Sequence, residues 1–224
     1  VKALLAVLPE CATINPDGLA QAFTFWGPCD PDTLFTGIDS LPPGHLMAVE
    51  ADGTRTLTQY WDWTFPRVGD APAFTSFDDA VHELRDLLDD AVRLQLRADV
   101  PVGAYLSGGL DSSGIVALAK QAGIAAVRTF SVTFEDAEFD EREQQQAMVR
   151  HLGTDHTTLH CTRRDIADAF PALIRHTEAP VLRTAPVPLM LLSARVRQSG
   201  YKVVLTGDRA DELFGRSALF QDAT

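Results

Sequence analysis

Leu106-Ser107-Gly108-Gly109-Leu110-Asp111-Ser112-Ser113 decides how the rest of the chain is read. It follows a short apolar run, Val100 to Leu106, that predicts a buried strand, and it opens a helical pattern from Ser113 to Ala122. Strand, glycine-rich turn and helix, in that order, make an anion site. Gly108 and Gly109 let the backbone approach a ligand closely. The first turn of the helix offers free N–H groups and a positive dipole end to phosphate. Ser107, Ser112 and Ser113 add hydroxyls. Asp111 adds a carboxylate that an anion site would avoid unless a divalent cation stood between it and the phosphates. The spacing is neither G-x-x-x-x-G-K-[ST] nor G-x-G-x-x-G. A serine- and glycine-rich turn that merely caps a helix is the plainer alternative.

Outward from this loop the chain alternates short apolar runs with helical patterns. Strands are predicted at Val102–Leu106, Val127–Phe134, Thr157–Cys161 and Lys202–Thr206. Helices are predicted at Ser113–Ala122, Asp140–Leu152, Arg164–Thr177 with an interruption near Pro171, and Pro188–Gln198. A long amphipathic helix, Phe77 to Arg97, precedes them, with Ser76 as its start signal and Val81, Leu84, Leu88 and Ala91 along one stripe. The pattern implies an α/β fold, a doubly wound, mostly parallel sheet with helices on both faces. Ligands bind such sheets at the carboxyl ends of strands where the strand order reverses.

A second loop stands at another strand end: Val203-Val204-Leu205-Thr206-Gly207-Asp208-Arg209-Ala210-Asp211-Glu212-Leu213-Phe214-Gly215. Two strand-end loops that each carry an aspartate could bring Asp111 and Asp211 to one divalent cation bridging bound phosphates. Magnesium typically takes one or two protein carboxylates and fills its remaining positions with phosphate oxygens and water. The alternative is a helix start capped by Asp208, with Asp211 and Glu212 favourable to the dipole.

The string SGGLDSS resembles the pyrophosphate loop (PP-loop) of the ATP pyrophosphatases. With Val100 to Leu106 around it, it resembles the synthetase domain of the glutamine-hydrolysing asparagine synthetases. The second loop is similar to that family's "SGEGxDELFGGY" motif. It departs where Asp208 replaces the glutamate linked to acyl-adenylate formation, where Arg209 replaces a glycine, and where Arg216 and Ser217 replace glycine and tyrosine. Thr129 to Asp136 and Phe139 to Arg142 also resemble the family. The fold this implies is the PP-loop, adenine nucleotide α hydrolase-like sheet. The resemblance implies ATP binding by Tyr105, Leu106, Ser107, Gly108, Gly109, Leu110, Asp111, Ser112, Ser113, Thr206 and Gly207, with the backbone around Val132 on the adenine. It implies a metal at Asp111 and Asp211, and Asp208 in the altered catalytic position. Glu178-Ala179-Pro180 and Arg183-Thr184-Ala185-Pro186 resemble the border of the acceptor pocket. The implied reaction adenylates a carboxylate, aspartate by analogy, and lets ammonia from glutamine displace AMP. Three other outcomes remain open: amidation of a different carboxylate, a non-catalytic nucleotide-binding module, and an unrelated binding protein with two capped helices.

Residues 1–66 read differently. They hold all three tryptophans, a helical pattern from Asp17 to Trp26 with Asp17 as cap, and a turn cluster Leu41-Pro42-Pro43-Gly44-His45. Strands at Leu46–Glu50 and Thr54–Tyr60 flank Ala51-Asp52-Gly53 as a hairpin. The "LPPGH" turn and the Tyr60-Trp61-Asp62 strand resemble the end of the family's glutaminase domain, an N-terminal-nucleophile fold; an accessory hairpin layer fits the residues equally well. The resulting expectation is a β-rich glutaminase remnant at 1–66, a linker at 67–75 and the synthetase domain at 76–224. The family's amidase nucleophile is an N-terminal cysteine, and this chain starts at Val1, so no glutaminase activity is expected of it. The family's catalytic lysine belongs to a segment that would follow Thr224.

Composition narrows the classes further. The 224 residues suffice for one or two domains, and 46% hydrophobic with 22% charged content is ordinary for a globular protein. A net charge of −12 with no basic cluster argues against nucleic acid as partner. No apolar run reaches the ~18 residues of a membrane span, and no leader peptide is expected. Cys11, Cys29 and Cys161 are scattered and odd in number, which supports neither zinc nor disulfides and suggests a reducing cytoplasm. They read as incidental thiols, with a Cys11 or Cys29 nucleophile as the alternative. The histidines show no metal spacing and are assigned no role. A homodimer is admissible.

Overall fold

The computed structural model describes residues 1–67, 69–70, 73–124, 127–208 and 210–214. The chain divides into two compact units, one of Val1–Pro72 with Phe170–Thr184, the other of Ala73–Ala169 with Ala185–Thr224.

The first unit begins with helix α1 (Lys2–Val7), a short 3₁₀ turn (Pro9–Cys11) and helix α2 (Pro16–Phe25). The cap of α2 is Asn15 rather than Asp17: the Asn15 side chain accepts from the Asp17 N–H at 3.1 Å. Pro16 occupies the first helical position, where its missing N–H costs nothing, so the start is two residues earlier than the aspartate suggested. Strands β1 (His45–Val49) and β2 (Arg55–Gln59) form the antiparallel hairpin. Its bend is held by the Thr54 N–H donating to Asp52 Oδ1 at 2.9 Å and by Gly53 at a φ of +86°. Residues Phe170–Thr184, inside the 76–224 span, cluster with this unit.

The second unit is the parallel sheet. Helix α3 (Phe77–Gln95) starts at Ser76, whose side chain accepts from the Asp79 N–H at 3.1 Å. Strands β3 (Val102–Tyr105), β4 (Arg128–Phe134), β5 (Asp155–Cys161) and β6 (Val203–Leu205) lie in the order β5-β4-β3-β6, every pairing parallel. Between them run α4 (Leu110–Gln121), α5 (Arg142–Leu152), α6 (Arg163–Thr177) and α7 (Pro186–Gln198), and α8 (Ala210–Leu213) follows β6. The fold is α/β with a parallel sheet, as the alternating pattern implied.

Helices cover both faces. Val92 of α3, Val116 and Ala119 of α4 and Leu152 of α5 pack with Ala104, Leu106 and Leu205 on one face. Leu192 and Val196 of α7 pack with Tyr105, Phe130, Leu159 and Val204 on the other. Neighbouring residues of one strand thus fall into different clusters, as the pleat requires. Two expectations are corrected. Helix α6 runs through Pro171 without interruption; a proline removes one backbone hydrogen bond, and the buried Leu173 two residues on anchors the continuation. Helix α4 starts at Leu110, three residues earlier than Ser113, with Gly109 as its N-cap at φ −71° and ψ 165°.

The polar face of β4 is buried. Thr129, Ser131 and Thr133 have almost no exposed surface. His156 of β5 satisfies two of them, its Nδ1 lying 2.8 Å from Thr129 Oγ1 and its Nε2 3.0 Å from Ser131 Oγ. Burial first, and the Arg128 guanidinium second, hold the His156 pKa below its ordinary value, against a smaller opposing pull from Asp155.

Candidate functional site

The sheet order turns at β3. The chain moves outward from β3 to β4 and β5, then returns to place β6 on the other side of β3. The loops after β3 and β6 are therefore neighbours at the carboxyl ends of adjacent strands, the position where open α/β sheets bind ligands.

The earlier start of α4 puts Asp111, Ser112 and Ser113 inside its first turn. Gly108, at a φ of +88°, makes the reversal. A Cβ there would also lie 2.7 Å from the Gln145 backbone nitrogen and 2.8 Å from the Gln144 carbonyl carbon, so only glycine fits against the start of α5. Ser107 and Ser112 close the loop on itself. The Ser107 N–H donates to Ser112 Oγ at 3.1 Å, the two hydroxyls lie 2.9 Å apart, and the Gly109 N–H donates to Ser107 Oγ at 3.2 Å. Ser112 and Ser113 are buried, and among the described residues Ser113 Oγ has no hydrogen-bond partner. Ser112 thus braces the loop from inside.

The second loop meets the first through Gly207. A Cβ on Gly207 would lie 2.9 Å from the Ser112 nitrogen and 3.0 Å from both the carbonyl carbon and the Cβ of Asp111. The two turns, nearly a hundred residues apart in sequence, touch backbone to backbone. A cavity of about 510 Å³ opens beside this contact, and Asp111, Thr206, Gly207 and Asp208 stand on its wall. Leu84 and Leu88 of α3, Ile115 and Leu118 of α4, and Phe214 are among its apolar lining.

The other expected residues are placed as follows. Leu110 is largely exposed and lines the cavity. The Leu106 side chain is buried in the core, which leaves its backbone to the site. Tyr105 points to the α7 face, its hydroxyl 2.9 Å from Ser193 Oγ. The Val132 carbonyl accepts from Gln145 Nε2 at 3.0 Å, a contact the sequence did not signal. Asp211 sits in the first turn of α8, off the cavity wall, whereas Asp208 is on it. Arg209, Gly215, Arg216 and Ser217 lie outside the described residues. Glu178, Ala179, Pro180, Arg183 and Thr184 belong to the first unit.

Beyond β4, Asp136 accepts from Arg163 Nη2 at 2.8 Å, and this hydrogen bond, with one from the Glu138 N–H, holds its pKa below the ordinary range. Burial first, and then the Asp165 and Glu135 carboxylates, push the Cys161 thiol pKa up. Among the described residues no three His, Cys, Asp or Glu side chains cluster as a metal nest, and no helix is long and apolar enough to cross a membrane. Oxygen donors from one or two carboxylates, with no thiolate or imidazole, are the set that suits magnesium shared with phosphates.

Comparison with known proteins gives a family. The asparagine synthase family model matches residues 83–224. Asparagine synthetase [glutamine-hydrolyzing] 1 of Bacillus subtilis is 31% identical over 97% of this chain and 33% of its own length. Asparagine synthetase B [glutamine-hydrolyzing] of Escherichia coli is 34% identical over 63% of this chain and 28% of its own length. The chain spans about a third of the curated relatives it matches. Among solved structures, an NH3-dependent NAD synthetase from Campylobacter jejuni overlays 62% of each chain at 18% identity with a TM-score of 0.43, an overlay too loose to carry weight.

Proposed function

Because the chain belongs to the asparagine synthase family, we propose that it carries the ATP-binding half of an enzyme that makes amides by adenylating a carboxylate, aspartate in the first instance. The observation that carries this is the approach of Gly207 to Asp111 and Ser112, which sets two acidic strand-end loops on one cavity.

In the first step a substrate carboxylate oxygen attacks the α-phosphorus of ATP and pyrophosphate leaves. The first turn of α4 offers backbone N–H groups without helical partners, and its dipole favours the phosphates. Ser107 and Ser113 add hydroxyls. Because the backbone donors are fixed by the helix before the substrate arrives, little reorganisation is needed as charge moves onto the departing pyrophosphate. Asp111 and Asp211 would hold a magnesium ion, which supplies charge neutralisation on the phosphate oxygens. Asp208 takes the position of the family's catalytic glutamate. In the second step ammonia attacks the acyl carbon and AMP leaves.

Residues 1–66 are, in the same reading, the end of a glutaminase domain that elsewhere in the intact protein supplies the ammonia. The test is release of pyrophosphate and AMP from Mg·ATP with ammonium and a panel of carboxylic acids, in the whole protein. Release that depends on the acid, with an amide product and loss in Asp111→Asn, is expected. Tight Mg·ATP binding with no AMP formed under any acid would refute catalysis and leave a nucleotide-binding module.

A further inference from the structure

Strand β4 outruns β3. The last β3–β4 pair is Tyr105 with Phe130, extended by the Leu106 N–H donating to the Phe130 carbonyl at 2.9 Å. Two residues further, on the same edge of the strand, the Val132 carbonyl has passed the end of its neighbour. Its partner is instead a side chain: Gln145 Nε2 donates to it at 3.0 Å. Gln145 comes from α5 and is only 4% exposed. Its backbone nitrogen is also the atom that a Cβ on Gly108 would strike. One buried glutamine therefore touches the phosphate-side loop through its main chain and the free strand edge through its side chain.

A free strand edge at the carboxyl end of a parallel sheet reads a ligand as it would read another strand, through its carbonyl and N–H groups. A 6-aminopurine presents an N–H donor beside a ring-nitrogen acceptor and matches such an edge. The glutamine amide is a donor of the same kind, seated on the same oxygen. We propose that Gln145 is a specificity-determining cap on this edge: its amide occupies the Val132 carbonyl that would recognise the 6-amino group of ATP, so base recognition requires the glutamine to give way. The inference rests on the reading of the Ser107–Ser113 loop as an ATP site and deepens it. A residue with only a packing role would weaken nucleotide binding when removed. A cap in competition with the base strengthens it.

The test titrates the full chain, as wild type, Gln145→Ala and Gln145→Ser, with Mg·ATP and with Mg·ITP, whose base carries an oxo group in place of the amino group. Thermal melts confirm that at least one variant is folded, the serine variant retaining a small polar side chain for this purpose. Binding of Mg·ATP is expected to tighten by roughly two- to tenfold, the worth of one exchanged hydrogen bond. Binding of Mg·ITP is expected to stay within twofold, so that the preference for ATP rises. If ATP affinity is unchanged or weaker, or if ATP and ITP move together, Gln145 is a packing residue and the cap is refuted while the ATP site stands. If no form of the protein binds Mg·ATP, the reading of the loop falls and the cap falls with it.

Discussion

Substituting Gly207 by alanine tests the convergence of the two loops directly. The added methyl would stand 2.9 Å from the Ser112 nitrogen and 3.0 Å from two atoms of Asp111. These are backbone atoms and a Cβ in the first turn of α4, so no flexible side-chain end can swing aside. Either the Thr206–Asp208 loop or the start of α4 must retreat by a few tenths of an ångström. Overpacking of this kind costs about 1–3 kcal/mol, against a total stability on the order of 5–15 kcal/mol, so the variant should remain folded and measurable. The same retreat separates Asp208 from Asp111 across the cavity. Misplacement on the order of 1 Å at reacting groups can cost roughly a hundredfold in rate, and a fraction of that shift predicts a loss of about three- to thirtyfold in pyrophosphate release. Gly114 on the same helix is the control. A Cβ there meets nothing within 4 Å, and alanine in a helix interior is favoured over glycine by about 0.5–1 kcal/mol. Urea denaturation should therefore show opposite signs, Gly207→Ala destabilised and Gly114→Ala stabilised. Equal stability and undiminished turnover in Gly207→Ala would mean that the loops do not touch, and the site described above would have to be abandoned.

Other consequences are open to simpler measurements. Ser112→Ala leaves the Ser107 N–H without its acceptor in a partly buried loop; a loss of about 1–3 kcal/mol is expected in urea denaturation, larger than for an exposed serine. Phe130→Ala removes a fully buried ring that meets Tyr201 edge-on at 5.7 Å and should cost about 3–5 kcal/mol in the same assay. The depressed pKa of His156 makes the unfolded chain bind more protons than the folded one just below the ordinary histidine value of about 6.5. That stability is fully present above this value and is lost as the pH falls from it toward the lower folded pKa. The carboxylates with lowered pKa values, Asp136 and Asp165 among them, lose their contribution only at more acid pH. Urea midpoints at pH 7.5 and 5.5 should therefore differ more in the wild type than in His156→Asn, and equal differences would show that His156 titrates normally.

What the sequence disclosed, and what it hid, follow from where each signal resides. Alternation of apolar runs and helical patterns is a property of neighbours along the chain, so the parallel sheet and the Asp52-Gly53 hairpin were legible. The start of α4 was misread because its N-cap is a glycine with no side-chain bond, whereas helix starts announce themselves through serine, threonine or aspartate. Helix α1 was missed because its six residues bury nothing and carry no side-chain cap. The strand at β4 was legible, but not that its polar row is buried; that burial goes with His156, a residue supplied by another strand. Gln145 was invisible for the same reason, since a glutamine in a polar helix gives no hint that it caps a carbonyl thirteen residues earlier.

The position of the second loop is in the end a consequence of core packing. Strand β6 pairs with β3 through Val102 with Val203, Gly103 with Val204 and Ala104 with Leu205. Continued by two residues, that register sets Gly207 level with Leu106, at the mouth of the first loop. Leu205 packs with Ala104, Val116 and Leu152 on one face, while Val204 packs with Phe130 and Leu192 on the other. A slip of one residue would exchange these faces and drive Leu205 into the cluster that now takes Val204. It would also carry Gly207 away from Ser112 and bring Thr206 or Asp208, with a side chain, into a gap that admits none. The apolar residues on the two faces of a three-residue strand therefore select the register, and the register brings Asp111 and Asp208 to one cavity. An exchange of Val204 and Leu205 in sequence would preserve composition and hydropathy, yet it should disturb both clusters and the loop contact together, and stability and nucleotide affinity should fall in step.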